Sequence, residues 1–181
     1  IRAAVSSDTN ITYKILFNDA VAMTGGQNHD GDIGALDIVR ELQSVGVKKV
    51  VGVYDEKEDL ILSQFKELVE IYPRDELIRV QEKLASIKGV TALVYIQTCA
   101  AEKRRRRKRG KFINPDKRIF INHLVCEGCG DCSIESNCIS VEPLKTEYGT
   151  KRVVNQSTCN KDYSCANGFC PSFLSIEGGH I

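Results

Sequence analysis

The apolar residues of the first hundred positions follow two alternating patterns. Residues 11–17, 50–54 and 90–96 are short apolar runs rich in branched and aromatic side chains, which are typical of buried strands. Helical apolar spacing occurs between them, over residues 36–45, 61–72 and 77–87. Strands that alternate with helices predict an α/β fold with a doubly wound parallel sheet.

This fold directs attention to the loop that follows the strand at 11–17. Ligands of doubly wound sheets bind beyond the carboxyl ends of the strands. The loop carries Asn18, Ala20 and the pair Gly25 and Gly26. An amide side chain and a backbone carbonyl suit a hard divalent cation, and paired glycines let backbone N–H groups approach a diphosphate. From composition alone, ordinary turns are the favoured explanation of the same residues.

Composition and charge divide the chain into unequal parts. The 181 residues are 42% hydrophobic and carry a net charge of +1, which suits one domain or a domain with a small appendix. Residues 102–118 alone carry +8, and the remaining chain carries −7. Seven of the eight cysteines lie between Cys126 and Cys170. We therefore expect an α/β domain over residues 1–101, a basic junction over 102–118 and a cysteine-rich module over 119–181.

Membrane-spanning and secreted classes do not fit the sequence. No apolar window approaches eighteen residues, and the first residues lack the features of a secretory signal. We expect a cytoplasmic protein without membrane or nucleic-acid partners.

The basic junction contains seven consecutive cations at residues 103–109. A nucleic-acid site usually adds aromatic side chains, and only Phe112 is nearby. A solvated connector or helix end, a site for an anionic ligand such as a phosphate group, and a docking patch for an acidic protein all remain open.

The spacing of the first three clustered cysteines is the most specific chemical signal. Cys126, Cys129 and Cys132 are separated by two residues each, as in bacterial ferredoxins, where a distant fourth cysteine completes the ligation of a cluster. Structural zinc more often uses two separated C-x2-C pairs, and disulfides are uncommon without an export signal. The spacing therefore predicts a [4Fe-4S] cluster.

The later cysteines depart from the ferredoxin pattern. In the crossed ferredoxin arrangement the first cluster takes Cys126, Cys129, Cys132 and Cys170. A second cluster would take Cys138, Cys159 and Cys165, with Asp162 where the remaining cysteine belongs. That site is open to a cluster with an oxygen ligand, a three-iron form or structural thiols alone.

Three segments together resemble the thiamine-diphosphate-dependent 2-oxoacid:ferredoxin oxidoreductases. Residues 17–27 resemble the cofactor loop of that family, and residues 97–112 and 126–132 are similar to its indolepyruvate branch with long, fused chains. The resemblance covers essentially the whole chain. It implies a thiamine-diphosphate-binding domain followed by a ferredoxin-like α+β module. It also implies Mg²⁺ on Asn18 and the Ala20 carbonyl. Four later residues of the same loop would hold the diphosphate, namely Thr24, Gly25, Gly26 and Gln27.

The resemblance also implies an activity, namely oxidative decarboxylation of an aryl 2-oxo acid to acyl-CoA and CO2 with one-electron transfer to ferredoxin. Its partners would be ferredoxin, coenzyme A and the remaining domains or subunits of a homo-oligomeric enzyme. The family's Gly-Asp-Gly motif is absent, so we expect it upstream of Ile1 and expect these 181 residues to be inactive alone. No catalytic acid or base is identified.

Three alternatives remain open at this stage. The chain could be a noncatalytic ferredoxin-type electron-transfer subunit, or it could serve the same reaction on pyruvate or another 2-oxo acid. A zinc-binding nucleic-acid module is the third alternative, and it predicts a colourless protein whose binding depends on salt.

Overall fold

The computed structural model describes residues 1–18, 20, 31, 33–58 and 60–178. The chain divides into two compact units, Ile1–Glu102 and Lys103–Ile181. Within the described ranges, every helix is too short or too polar to cross a bilayer.

The first unit contains a parallel sheet with helices between its strands. Its elements in chain order are α1 (Arg2–Ser6), β1 (Ile11–Phe17), α2 (Ala35–Ser44), β2 (Lys49–Tyr54), α3 (Leu62–Lys66), β3 (Glu70–Pro73), α4 (Leu77–Ala85), β4 (Val90–Ile96) and the start of α5 (Ala100–Lys108). The described strands lie in the order β1-β4-β2-β3, and every neighbouring pair is parallel. This confirms the predicted α/β class and parallel sheet.

Helices pack on both faces of this sheet. On one face, Val39 of α2 and Phe65 of α3 pack with Val94 of β4. On the other face, Val80 and Leu84 of α4 pack with residues of β2 and β4. The arrangement is compatible with a doubly wound domain and brings the carboxyl ends of all four described strands to one edge.

The helix predicted over residues 61–72 is wrong in its second half. The helix α3 ends at Lys66, and β3 begins at Glu70 as a short edge strand against β2. A strand of four residues is too short to show an alternation of apolar and polar side chains. The apolar residues of β3 also continue the helical spacing of the preceding residues, which explains the wrong prediction. Pro73 ends the strand at the sheet edge, where a missing N–H donor breaks no ladder.

The second unit combines short helices with antiparallel strand pairs. Its elements are the end of α5, β5 (Lys117–Ile121), α6 (Asp131–Ser136), β6 (Val141–Thr146), β7 (Gly149–Val154), a 3₁₀ turn (Ser164–Ala166) and β8 (Phe173–Glu177). Strand β5 pairs with β8, and β6 pairs with β7. Residues 103–108 of the basic junction therefore belong to α5.

Candidate functional site

Asn18 lies where β1 ends, at the carboxyl edge of the sheet. Its backbone carbonyl accepts a hydrogen bond from the Cys99 N–H at 3.2 Å, which extends the pairing of β1 with β4 beyond the strand. Its side-chain Oδ1 accepts a hydrogen bond from the Ala20 N–H at 3.2 Å. This contact is typical of an Asx turn, and it joins the two residues to which the resemblance assigns Mg²⁺.

The donor chemistry of this turn suits a hard cation. An amide oxygen has two lone pairs, so Asn18 Oδ1 keeps one after accepting the Ala20 N–H. Mg²⁺ commonly takes few protein oxygens and completes its shell with phosphate and water. Thr24, Gly25, Gly26 and Gln27, which the resemblance assigns to the diphosphate, lie outside the described residues.

A polar network that the sequence did not suggest lies at the same edge. Asp55 follows β2 and is buried, with 7% of its surface exposed. Its Oδ2 accepts hydrogen bonds from Gln97 Nε2 at 2.5 Å and from Arg74 Nη1 at 3.4 Å. Its Oδ1 accepts the N–H of Lys57 at 3.0 Å. These donors give both oxygens of the buried carboxylate hydrogen-bond partners.

The network extends on both sides of Gln97. The Tyr95 hydroxyl donates to Gln97 Oε1 at 2.7 Å, and burial is the largest influence that raises the pKa of this tyrosine. Thr98 donates through its N–H and its hydroxyl to the two oxygens of Glu58, at 3.0 and 2.7 Å. The only sequence signal for Asp55, Gln97 and Thr98 is their position just after the predicted strands 50–54 and 90–96.

The backbone that follows Cys126 turns back tightly toward the sulfur of that residue. The Gly128 N–H points to Cys126 Sγ at 3.4 Å, and Gly128 has a φ of +76°. A Cβ on Gly128 would overlap with the Thr150 carbonyl oxygen, so only glycine fits against β7 here. Helix α6 then begins at Asp131 and positions Cys132 in its first turn.

Five cysteines line one cavity of about 500 Å³ in the second unit. Apolar residues such as Ile121, Phe169 and Phe173 complete its wall. The cysteines on the wall are Cys126, Cys129, Cys132, Cys165 and Cys170. This group contains all four ligands predicted for the first cluster, although Cys170 is far from the others in the sequence.

The remaining predicted ligands lie around Cys165. Burial is the largest influence that raises the pKa of the Cys165 thiol to about 11, and the neighbouring Cys138, Cys159 and Asp162 add to the rise in that order. Cys138 and Cys159 also pack against the buried cluster that contains Cys165. Cys138, Cys159 and Asp162 are thus neighbours of Cys165, but they do not form a group of three ligands close enough for one metal ion.

These sulfurs are chemically available as ligands. All eight cysteines are free thiols. Thiolates suit both iron–sulfur clusters and zinc, and both require the sulfur to lose its proton. In the described part of the chain, no three His, Cys, Asp or Glu side chains are grouped closely enough to hold a single metal ion.

Comparisons with protein-family models, with curated proteins and with solved structures return no match for this chain.

Proposed function

We propose that this chain is the thiamine-diphosphate and iron–sulfur region of a 2-oxoacid:ferredoxin oxidoreductase. The overall reaction converts an aryl 2-oxo acid, the thiol of coenzyme A and oxidised ferredoxin into acyl-CoA, CO2, a proton and reduced ferredoxin. The electron pair released by decarboxylation leaves one electron at a time. The aryl preference depends on the branch that the motifs resemble, and pyruvate or another 2-oxo acid is the alternative substrate.

The observation that carries the proposal is the shared cavity of the cysteines. Cys126, Cys129 and Cys132 line it with Cys170, the distant cysteine that the ferredoxin pattern requires. Two C-x2-C steps in series, joined by a remote fourth cysteine, favour a cubane cluster over a zinc knuckle. Ile121 and Phe173 on the same wall would limit water around the cluster, which helps to set its potential.

The second ligand set supports an additional cluster. Cys138, Cys159 and Cys165 would supply three thiolates, and Asp162 would supply a harder oxygen ligand. Asp162 Oδ1 accepts hydrogen bonds from the N–H and hydroxyl of Ser164, which hold this carboxylate in place. An oxygen ligand exchanges more readily than a thiolate, so this site would lose iron first.

Residues at the carboxyl edge of the parallel sheet support the thiamine-diphosphate part of the proposal, although less directly. Asn18 and the Ala20 carbonyl would hold Mg²⁺. When bound, thiamine diphosphate supplies the electron sink for decarboxylation. The Asp55–Gln97–Arg74 network would stiffen the strand ends beside this position, because each member restrains the next.

Metal analysis of anaerobically purified protein tests the iron–sulfur half. We expect about four iron atoms and four acid-labile sulfides per chain for one filled site, and about seven or eight of each if the Asp162 site is filled too. A brown colour and paramagnetic-resonance signals on reduction should accompany them. Cys129→Ser should lower the iron content, whereas the matched variant Cys99→Ser, outside the cysteine-rich unit, should leave it unchanged.

Zinc without iron would overturn the electron-transfer half of the proposal. Equal loss of iron in Cys129→Ser and Cys99→Ser would show that the cavity does not hold the cluster.

Calorimetric titration with thiamine diphosphate and Mg²⁺ tests the cofactor half, with any remaining domains or subunits restored. We expect Mg²⁺-dependent binding that Asn18→Leu weakens and Asn18→Asp preserves, because aspartate keeps an oxygen ligand at this position. An absence of binding in a protein that contains iron would instead identify a noncatalytic electron-transfer subunit.

A further inference from the structure

The end of helix α5 leads into an exposed segment of mixed chemistry. Every residue from 108 to 114 is exposed. The segment carries three cations, Lys108, Arg109 and Lys111, followed by Phe112 and Ile113, whose exposed fractions are 40% and 84%. Within the described ranges, none of the three cations forms an ion pair. We call residues 108–113 the exit segment of α5.

Two other cations of the basic run are used inside the second unit. Arg104 Nη1 donates hydrogen bonds to the Thr158 carbonyl oxygen at 2.9 Å and to Asn160 Oδ1 at 3.0 Å. Arg107 Nη2 donates to the Asn160 carbonyl oxygen at 2.5 Å. Residues three apart on a helix share a face, so both arginines fix α5 against this loop. These contacts explain two charges of the run, but not those of the exit segment.

The backbone of the exit segment makes a defined turn where the helix ends. Gly110 has a φ of +67°, and its N–H donates to the Arg107 carbonyl oxygen at 3.0 Å. The Lys111 N–H donates to the Arg106 carbonyl oxygen at 2.8 Å, which completes a Schellman motif. The negative end of the helix dipole accounts for cations in the last turn of α5, whereas Lys111 and Ile113 lie beyond that turn.

Contacts beyond the turn hold the exit segment as well. The Lys161 ammonium donates to Asn114 Oδ1 at 2.6 Å and to the Pro115 carbonyl oxygen at 2.9 Å. The guanidinium carbon of Arg107 lies 5.7 Å from the centre of the Phe112 ring. A segment that is held at both ends loses little conformational freedom when a partner binds, so its exposed side chains are pre-organised.

We propose that the exit segment is a docking surface for an acidic protein. Carboxylates of the partner would accept hydrogen bonds from Arg109 and the two lysines, and an apolar side chain of the partner would pack on Ile113. The opposite charges would steer the encounter and fix its orientation. The inference goes beyond the proposed function and does not depend on it, because the exit segment contains no proposed metal or cofactor ligand.

The chemistry of the exit segment favours an acidic protein over nucleic acid or a second copy of this chain. Nonspecific nucleic-acid sites stack bases on aromatic side chains, but the exit segment has one aromatic ring, and the Arg107 guanidinium lies over it. Ile113 has no ring on which a base could stack. Residues 103–181 contain 14 Lys and Arg against 8 Asp and Glu, a net charge of +6, so two copies of the second unit repel each other.

Fluorescence anisotropy with a labelled acidic peptide tests this inference. The peptide alternates pairs of glutamates with single leucines, and its control has glutamine in place of glutamate. At physiological ionic strength we expect saturable binding of the acidic peptide and none of the control. Arg109→Gln and Lys111→Gln should each weaken binding up to about fivefold, because each removes one solvent-exposed ion pair. Ile113→Ser should weaken binding with an unchanged salt dependence, since it removes an apolar contact and no charge.

The matched control is Lys145→Gln, which removes the same charge from an exposed position on β6 of the same unit. We expect this variant to bind the acidic peptide as tightly as the wild type. Equal weakening by Lys145→Gln and Lys111→Gln would show that the peptide responds to net charge alone and would overturn the docking surface. An absence of saturable binding to the wild type would overturn it as well.

Two further measurements address the other occupants. Tighter binding of a labelled DNA duplex than of the acidic peptide would identify a nucleic-acid surface instead. Sedimentation that shows a salt-sensitive dimer, which Lys111→Gln dissociates and Lys145→Gln does not, would assign the exit segment to contacts between copies of this chain. Either result would overturn the proposal of an acidic partner, whereas a monomer that prefers the acidic peptide would support it.

Discussion

Unusual backbone torsions concentrate around the cysteine segments. Five residues with positive φ lie within two positions of a predicted ligand: Gly128, Gly130, Asn137, Lys161 and Tyr163. A non-glycine residue in this conformation costs roughly 1–2 kcal/mol, so Lys161 and Tyr163 hold strain that their contacts must offset. Tyr163 does so through a 3.0 Å hydrogen bond from its hydroxyl to the Lys117 carbonyl oxygen.

Gly128→Ala should damage the first cysteine site. The backbone torsion alone costs roughly 1–2 kcal/mol, and the new Cβ would also meet the Thr150 carbonyl oxygen. We expect a loss of stability beyond that range, measured by urea unfolding, together with a lower iron content.

The matched control for this variant is Gly149→Ala. Gly149 also has positive φ, at +92°, but a Cβ added there would meet no atom within 4 Å among the described residues, so this variant bears the torsional cost alone. Equal destabilisation by the two substitutions would show that the contact with Thr150 does not matter.

At the level of elements, the length of a segment decides whether its pattern can be interpreted. Strands β1 and β4 have seven residues each, and helix α2 has ten, so their periodicity is visible in the sequence. Strand β3 has four residues, and its apolar spacing predicts helix instead. The longer strands also predict the parallel sheet correctly, since their order along the chain alternates with helices.

The candidate sites are predictable where local spacing carries the chemistry. The cysteines stand out through their spacing, and Asn18 through its loop and the family resemblance. Contacts such as Gln97 with Asp55, or Arg107 with Asn160, join residues far apart in the chain. No local pattern encodes such contacts, because they depend on how strand ends and helix faces meet after folding.

Leu84 should dominate the stability contributed by α4. Its side chain is 1% exposed and packs against Val53 and Leu93 under the sheet. Leu84→Ala should lower the free energy of unfolding by about 2–5 kcal/mol, because it leaves a cavity in a packed interface. Ile78→Ala on the same helix truncates a side chain that is 72% exposed. This substitution should change the free energy of unfolding by no more than about 0.5 kcal/mol. Similar losses for both variants would contradict the packing of α4.

The hydrogen bonds of Glu70 in β3 should make the stability of the protein depend on pH. Hydrogen bonds from Lys49, then Lys83, then Tyr72 lower the pKa of Glu70 from 4.5 to about 2. Because the folded-state pKa is depressed, the stabilisation is present above about pH 4.5 and is lost as the pH falls toward about 2. The carboxylate is 42% exposed, so solvent screening limits the effect to about 1 kcal/mol or less.

Glu70→Gln should therefore lower stability at pH 7 and have little effect near pH 2, as followed by thermal unfolding across this range. Glu67→Gln is the matched control, since Glu67 is exposed close by and forms no ion pair with the residues that the structure describes. A Glu70→Gln effect that was independent of pH would rule out the carboxylate as its source.

On the scale of the whole molecule, the two units bury different kinds of core. The first unit packs aliphatic side chains on both faces of its sheet. The core of the second unit includes Cys126 and Cys165 as buried members, with Cys132, Cys138 and Cys159 packed against them. A unit of this size buries little apolar surface, and small domains often rely on metals or disulfides for stability. We therefore expect the stability of the second unit to depend on the cluster that we propose it binds.

Removal of the proposed cluster with an oxidant and a chelator should lower the stability of the second unit selectively. A group that binds only the folded form stabilises it, so its loss should reduce the protection of backbone amides against hydrogen exchange in β5, β6, β7 and β8. We expect exchange there to accelerate about tenfold or more, which corresponds to about 1.4 kcal/mol. The amides of β2 and β4 provide the internal reference, because the core around them contains no cysteine among the described residues. Unchanged protection in β5 to β8 after complete iron removal would show that the cysteine-rich core is stable by packing alone.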